Sequence, residues 1–393
     1  MSATLAVTGG RLFDGANLLD GRALIVERGR VTGLVPNDAV PVGMPRVDAA
    51  GMIVAPGFID LQVNGGGGVL FNNDPSVSGI RTICEAHARF GTTALMATLI
   101  TDTPEVGAAA IAAGIEAHRL AVPGFLGLHL EGPHLSVARK GTHNPALIRP
   151  MDEADIARLI DAAGRFGEAI VTIAPENVTP EQVARLVEAG YVVSLGHTDT
   201  KAATVGAYVA AGASMVTHLF NAMSQMGNRE AGLVGAALTN GRISCGLIAD
   251  GFHVDPTVML VALRSKQRPG RIFLVTDAMS TIGTDQASFE LTGRQVYRKG
   301  GRLTLSDGTL AGADIDMLSC VRFVHERLDL PLGEAINMAS LHAAEAVGCA
   351  SKGMLAPGMD ADFLLLRSDL SLSATYIGGA LAYQRSEQGK ASA

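Results

Sequence analysis

VVSLGHTDTKAATVGAYVAAGASMVTHLFN, residues 192–221, is the stretch whose reading decides the fold. A short apolar run ends in His197, a helical stretch starts at Thr200 and stops at Gly212, and a second apolar run ends in Thr217-His218. Strand, capped helix, strand is the pattern of a βα unit in a parallel sheet, whose strands are buried on both faces. The pattern extends in both directions. FIDLQVN, TTALMATLIT, PGFLGLHLE and AIVTIAPE precede it; ISCGLIAD and RIFLVTD follow it. The eight runs end near Asn64, Thr101, Glu131, Glu176, His197, Asn221, Asp250 and Asp277, with helical stretches such as SVSGIRTICEAHARFG, DEADIARLIDAAGRFG and TPEQVARLVEAG between them. Several of these helices open on Ser, Thr or Asp and close on Gly, as helix caps require. The alternation predicts an α/β fold, a (β/α)8 TIM barrel, with polar strand ends gathered on the rim where such barrels place their chemistry.

A barrel of this kind uses roughly 250 residues, so the 393-residue chain leaves material for one smaller domain. Before residue 54 the sequence breaks into short β segments, LAVTGGRLFD, RALIVERGRVTGLV and RVDAAGMIV, and beyond Cys349 the same style returns. The expectation is a small β-sandwich domain built from both chain ends, 1–53 and 350–393, around a barrel of 54–349. ASFELTGRQVYRKGGRLTLSDGTLAG reads as a β excursion after the eighth strand, followed by the helical stretches VRFVHERL and PLGEAINMASLHAAEAVG. The last residues, SEQGKASA, read as a frayed end.

Composition narrows the function classes. With 48 % hydrophobic and 18 % charged residues the chain builds a large core. The net charge is −7 and no Lys/Arg block appears, which argues against a nucleic-acid binder. No apolar run approaches the ~20 residues of a membrane helix, and the N-terminus lacks a basic segment followed by a secretory apolar core. A cytoplasmic protein is expected. Cys84, Cys245, Cys320 and Cys349 are scattered without a CxxC pair and read as buried thiols.

Glu131, His197 and His218 fall at the ends of the third, fifth and sixth runs. Two imidazoles and a carboxylate suit a borderline divalent ion and leave a position for water, so the rim reads as a metal hydrolase site. Alternation places His129 with Glu131, Leu195 with His197, Val216 with His218 and Val275 with Asp277 on shared faces. Asp277, closing LVTDA, is suited to proton transfer beside such a site. His87, His118, His325 and His342 fall in helical stretches and read as structural. His129 and His134 flank Glu131 and stay open between a structural role and orienting the ligand.

The segments PGFIDLQVNGGGG, HLEGPHL, KGTHNP, GHTDT, THLFNAMS, ADGFHVD and LVTDAMS resemble the N-acetylglucosamine-6-phosphate deacetylases of the amidohydrolase superfamily nearly end to end. HLEGP with KGTHNP, and THLFNAM followed by Arg229, are the most specific pieces. The resemblance implies that Glu131, His197 and His218 bind the metal and that Asp277 is the acid/base. It implies that His143 polarises the acetyl carbonyl, and that Asn221, the backbone at Ala222, His253 and Arg229 hold the phosphate end of the sugar. It further implies a homodimer in which Arg229 reaches the neighbouring subunit's site.

Many superfamily members carry His-x-His at the end of the first strand, where this chain reads Gln62-Val63-Asn64. An amide is a poor ligand for Zn2+, so one divalent ion per subunit is expected, Zn2+ first, with Fe2+, Mn2+ or Co2+ as rivals. Gly65 to Gly68 are explained equally by a tight turn and by a phosphate cradle. Two other readings stand beside the deacetylase: hydrolysis of another N-acyl or cyclic amide substrate, and a non-hydrolytic metal-binding scaffold or sugar-phosphate isomerase on the same barrel.

Overall fold

In the computed structural model residues 3–386 are described; residues 387–393, most of the expected frayed end, lie outside them. The eight expected strands are Phe58–Val63, Thr92–Ile100, Phe125–Glu131, Glu168–Ile173, Val192–Leu195, Met215–Val216, Ser244–Leu247 and Ile272–Leu274. Each pairs in parallel with the next. Closure comes just past the eighth strand, where Asp277 N donates to Gln62 O and Asn64 N to Ala278 O, both at 2.9 Å. Every residue of Thr92–Ile100 is buried, as the wrapped position of a parallel strand demands.

Three helices between strands start on the expected caps, whereas the one expected at Thr200 starts at Ala202 after Lys201, without a side-chain cap. Ser76 accepts from Gly79 N, and Asp152 and Thr179 form capping boxes with Asp155 and Gln182. One helical expectation is corrected: PLGEAINMASLHAAEAVG folds as two helices, Leu332–Met338 and Leu341–Val347. Ser340 between them leaves helical geometry at φ −137°, ψ −83°, and its hydroxyl donates back to Ile336 O.

Strands from both chain ends form two sheets. Leu5–Thr8, Arg22–Glu27, Arg30–Pro36 and Arg46–Asp48 make the first; Arg11–Phe13, Leu18–Leu19, Ile53–Pro56, Phe363–Leu366, Leu372–Ile377 and Ala380–Gln384 make the second. Val7, Leu24, Val26 and Val31 pack against Val54, Phe363, Leu365 and Tyr376 between them. The excursion after the eighth strand is a four-stranded antiparallel sheet, Ser288–Leu291, Arg294–Lys299, Arg302–Thr304 and Leu310–Ala313. Its apolar face, with Phe289, Val296 and Leu303, closes on Leu70, Ile100 and Met279 at the barrel rim.

The glycine run is a turn. Gly65–Gly66 pairs with Val69–Leu70, and the N–H groups of Gly65, Gly67 and Gly68 are spent on the carbonyls of Ala278, Ile282 and Ser280. A Cβ at Gly65 would stand 2.3 Å from Val69 O. Donors already committed to carbonyls do not cradle a phosphate.

Candidate active site

Glu131, the last residue of the third strand, lies at the centre of the rim. Its Oε1 is 3.0 Å from His197 Nε2 and 3.1 Å from His218 Nε2, and the two ring nitrogens are 3.1 Å apart. His197 Nδ1 donates to Arg139 O at 2.9 Å, so the neutral ring carries its lone pair on Nε2. Lone pairs and a carboxylate converging on one point need a cation or an added proton between them; the donor set fits a divalent ion. Burial opposes charge on Glu131, but with a proton in that place the hydrogen bonds from the two histidines outweigh it and hold the carboxyl well below the usual range. Burial likewise works against a charged His218, and the bond to Glu131 overrides it, raising its pKa.

The route by which these side chains reach the rim corrects the alternation argument. Glu131 lies within its strand, but the fifth, sixth and eighth strands end at Leu195, Val216 and Leu274, short of His197, His218 and Asp277. Those three residues have left-handed backbones, φ 47°, 28° and 53°. Each such conformation costs about 1–3 kcal/mol in a non-glycine residue, and here the turn rather than the pleat aims the side chain.

Gln62 and Asn64 act as hydrogen-bond donors. Gln62 Nε2 lies 3.2 Å from Glu131 Oε2 and 3.2 Å from Asp277 Oδ1, while Asn64 Nδ2 donates to the same Oδ1. Burial, and then the charge of Glu131, push the pKa of Asp277 up. His143, on the loop after the third strand, is 2 % exposed, and burial drives its pKa down to about 3, so the ring is neutral. Its ring meets His197 edge-on with centroids 4.4 Å apart. Ligand atoms of Glu131, His143 and His197 lie within 4.8 Å of one another, which makes His143 a geometric rival to His218 as a ligand.

Glu131, His143, His197, His218 and Asp277 line one cavity of about 390 Å³ together with Asn64, Asn221, Ala222 and His253. His253 Nδ1 donates to Asp250 Oδ2 at 2.6 Å; burial opposes charge on Asp250, and that bond outweighs it and lowers the pKa. Ala222 has φ 47°. Arg229 is not brought to this cavity. It is exposed on the loop after the sixth strand, beside Asp199, Gln225 and Glu230.

The remaining histidines sort by their partners. His87, His325 and His342 each bond a backbone carbonyl, of Gly65, Leu330 and Ile272, and His118 is exposed on the helix Pro104–Arg119. His129 lies inside the barrel, bound to Leu61 O and to Thr172 Oγ1, the start of a hydroxyl chain through Thr217 to Ser194. His134 faces away, toward Arg149 O and Asp155. All four cysteines are buried and free. Sequence reasoning gave no role to Thr101, which contacts His143, or to Arg294, whose Nη2 donates to Thr142 O beside it. Thr101 had one signal, a polar residue at a strand end; Arg294 had none.

The Amidohydrolase family model matches residues 53–382, and the chain belongs to that family. The NagA composite domain matches residues 5–54. The chain is 41 % identical to the N-acetylgalactosamine-6-phosphate deacetylase of Shewanella sp. (strain ANA-3), over 97 % of this chain and 96 % of that one. It is 32 % identical to the N-acetylglucosamine-6-phosphate deacetylase of Haemophilus influenzae, over 91 % and 93 %. The crystal structure of N-acetylglucosamine-6-phosphate deacetylase from Pasteurella multocida superposes with a TM-score of 0.93 at 33 % identity, covering 98 % of this chain and all of that one.

Proposed function

We propose that this chain hydrolyses the acetamide of N-acetyl-D-glucosamine 6-phosphate, giving D-glucosamine 6-phosphate and acetate. The observation that carries this reading is the single cavity in which Glu131, His197 and His218 meet Asp277 and His143 on one side and Asn221, Ala222 and His253 on the other. The names of the relatives support it. Glu131, His197 and His218 would hold one divalent ion per subunit, Zn2+ first, and that ion would supply Lewis-acid polarisation and a lowered pKa for water.

Asp277 takes the proton of the attacking water and delivers it to the departing amine. Gln62 and Asn64 both hold its Oδ1, so Oδ2 carries the proton. His143 donates to the acetyl oxygen as charge develops there. Asn221, the Ala222 backbone and His253 bind the phosphate, and Arg229 of a neighbouring subunit completes that end, making the working form a homodimer. Exposure of Arg229 outside its own subunit's cavity supports this arrangement. No helix among the described residues is long and apolar enough to cross a membrane, and the activity fits amino-sugar catabolism and cell-wall recycling in the cytoplasm.

The 41 % identity to a galactosamine-epimer deacetylase favours a second reading, the same chemistry on N-acetyl-D-galactosamine 6-phosphate. Acetate release by the purified protein from each 6-phosphate decides. Release from the glucosamine compound is expected; a strong preference for the galactosamine epimer shifts the assignment, and release from neither overturns it.

A further inference from the structure

We infer that Thr101 is a positioning residue that selects the tautomer of His143 and thereby makes it a hydrogen-bond donor to the substrate instead of a metal ligand. The inference rests on the deacetylase reading for what His143 does, and on geometry for what Thr101 does. Thr101 follows the second barrel strand and is 1 % exposed. Its backbone N–H points at His143 Nδ1 from 3.3 Å, and its hydroxyl lies 2.8 Å from the same atom.

A backbone N–H can only donate, so Nδ1 is the acceptor and the proton of the neutral ring resides on Nε2. The hydroxyl, free to rotate, adds a second donor to the same lone pair. The opposite tautomer would put a lone pair on Nε2, and with Glu131 and His197 so near the ring would then compete with His218 for a cation. Two donors on Nδ1 remove that option. A neutral imidazole presenting Nε2–H is the form that stabilises an oxyanion.

The surroundings hold Thr101 in place. Asn72 clamps the strand end: its Nδ2 donates to Ile100 O at 3.0 Å and to Asp102 Oδ2 at 2.8 Å, and its Oδ1 accepts from Ile100 N at 3.2 Å. Gly132, at φ 89°, leaves the space the hydroxyl fills, since a Cβ there would come within 2.2 Å of Thr101 Oγ1. Glu131 O lies 3.4 Å from Thr101 Oγ1, much farther than the 2.8 Å to His143 Nδ1, so the ring nitrogen is the nearer acceptor for the single hydroxyl proton.

The test is nitrogen-15 NMR of the histidine rings in the Zn2+-loaded enzyme, with His143 assigned by the signals lost in His143→Gln, alongside kinetics of Thr101→Val and Thr101→Ser. Expected are an unprotonated Nδ1 and a protonated Nε2 in the wild-type ring. Thr101→Val keeps the longer backbone donor and loses the nearer hydroxyl, so the ring should shift part-way toward the other tautomer, with kcat lowered about tenfold and KM changed by no more than about twofold; serine should restore the tautomer and kcat. A wild-type His143 protonated on Nδ1 overturns the inference and needs no variant that might fail to fold. An unchanged tautomer and kcat in folded Thr101→Val also overturn it. The ring spectrum is read without substrate, so an enzyme that releases no acetate would defeat the deacetylase reading and leave the assignment of Thr101 measurable.

Discussion

Asn64 donates its side-chain amide to Asp277 Oδ1 at 2.6 Å, joining the end of the first barrel strand to the turn after the eighth. The contact turns a position that could have carried a metal-binding histidine into a clamp on the carboxylate. An amide nitrogen has no lone pair for a metal, but its N–H groups lower the cost of a buried negative charge.

The clamp leads to a stoichiometry. With Gln62 and Asn64 occupied as donors, one divalent ion per subunit is expected, held by Glu131, His197 and His218. Metal analysis of reconstituted enzyme titrated against activity checks it, and His197→Ala should lose the ion. Full activity reached only at two ions per subunit would contradict the expectation.

Asp277→Asn should retain metal and lose turnover by more than ~10²-fold, because in the proposed reaction one carboxylate serves both proton transfers. Steady-state kinetics paired with metal content separate this from simple ion loss. A variant turning over at close to the wild-type rate removes Asp277 from the chemistry.

Arg229→Ala should impair hydrolysis of the 6-phosphate sugar far more than that of unphosphorylated N-acetylglucosamine, since a guanidinium binds phosphate through paired, charge-assisted bonds. Mixing Arg229→Ala with Asp277→Asn subunits should restore activity in heterodimers, each regaining one complete site. Equal losses on both substrates exclude the phosphate role, and verified heterodimers without activity return Arg229 to its own subunit.

Asp60 gives a pH signature. It is fully buried in the first strand, bonded to Thr276 Oγ1 at 2.5 Å, and burial pushes its pKa up to about 7. The unfolded chain releases this proton near the ordinary value of about 4, so between about 4 and 7 the native state binds more protons and stability falls as pH rises. The full effect is worth roughly 4 kcal/mol. Asp60→Asn lacks it, so its melting temperature relative to wild type should climb between pH 4 and 7 and level off above. Parallel melting profiles of the two proteins would show that Asp60 ionises at its ordinary pH.

How far the sequence was readable follows the range of each interaction. Strands, caps and the polar residue ending each run are local, and the sequence shows Glu131, His197, His218 and Asp277 as rim residues. The left-handed turns that aim three of them are invisible in an alternation argument, because they begin where the strand stops. Gln62 and Asn64 were legible as poor metal ligands, but their role as donors depends on Asp277, more than 200 residues away. Arg294 reaching Thr142 O and Thr101 reaching His143 are contacts of the same kind, without periodicity or motif.

The six-stranded sheet has a consequence for the order in which the chain is made. Ile53–Pro56 pairs with Phe363–Leu366, Ala55 opposite Leu364, and beyond that strand the sheet is completed by Leu372–Ile377 and Ala380–Gln384. During synthesis Ile53–Pro56 therefore emerges about 300 residues before its partner and waits, with an apolar edge unpaired, until Phe363–Leu366 has left the ribosome. Such a protein depends on residues 363–384 to seal a sheet begun before residue 57, and a chain cut short after the barrel would keep the rim residues while exposing a ready template for aggregation.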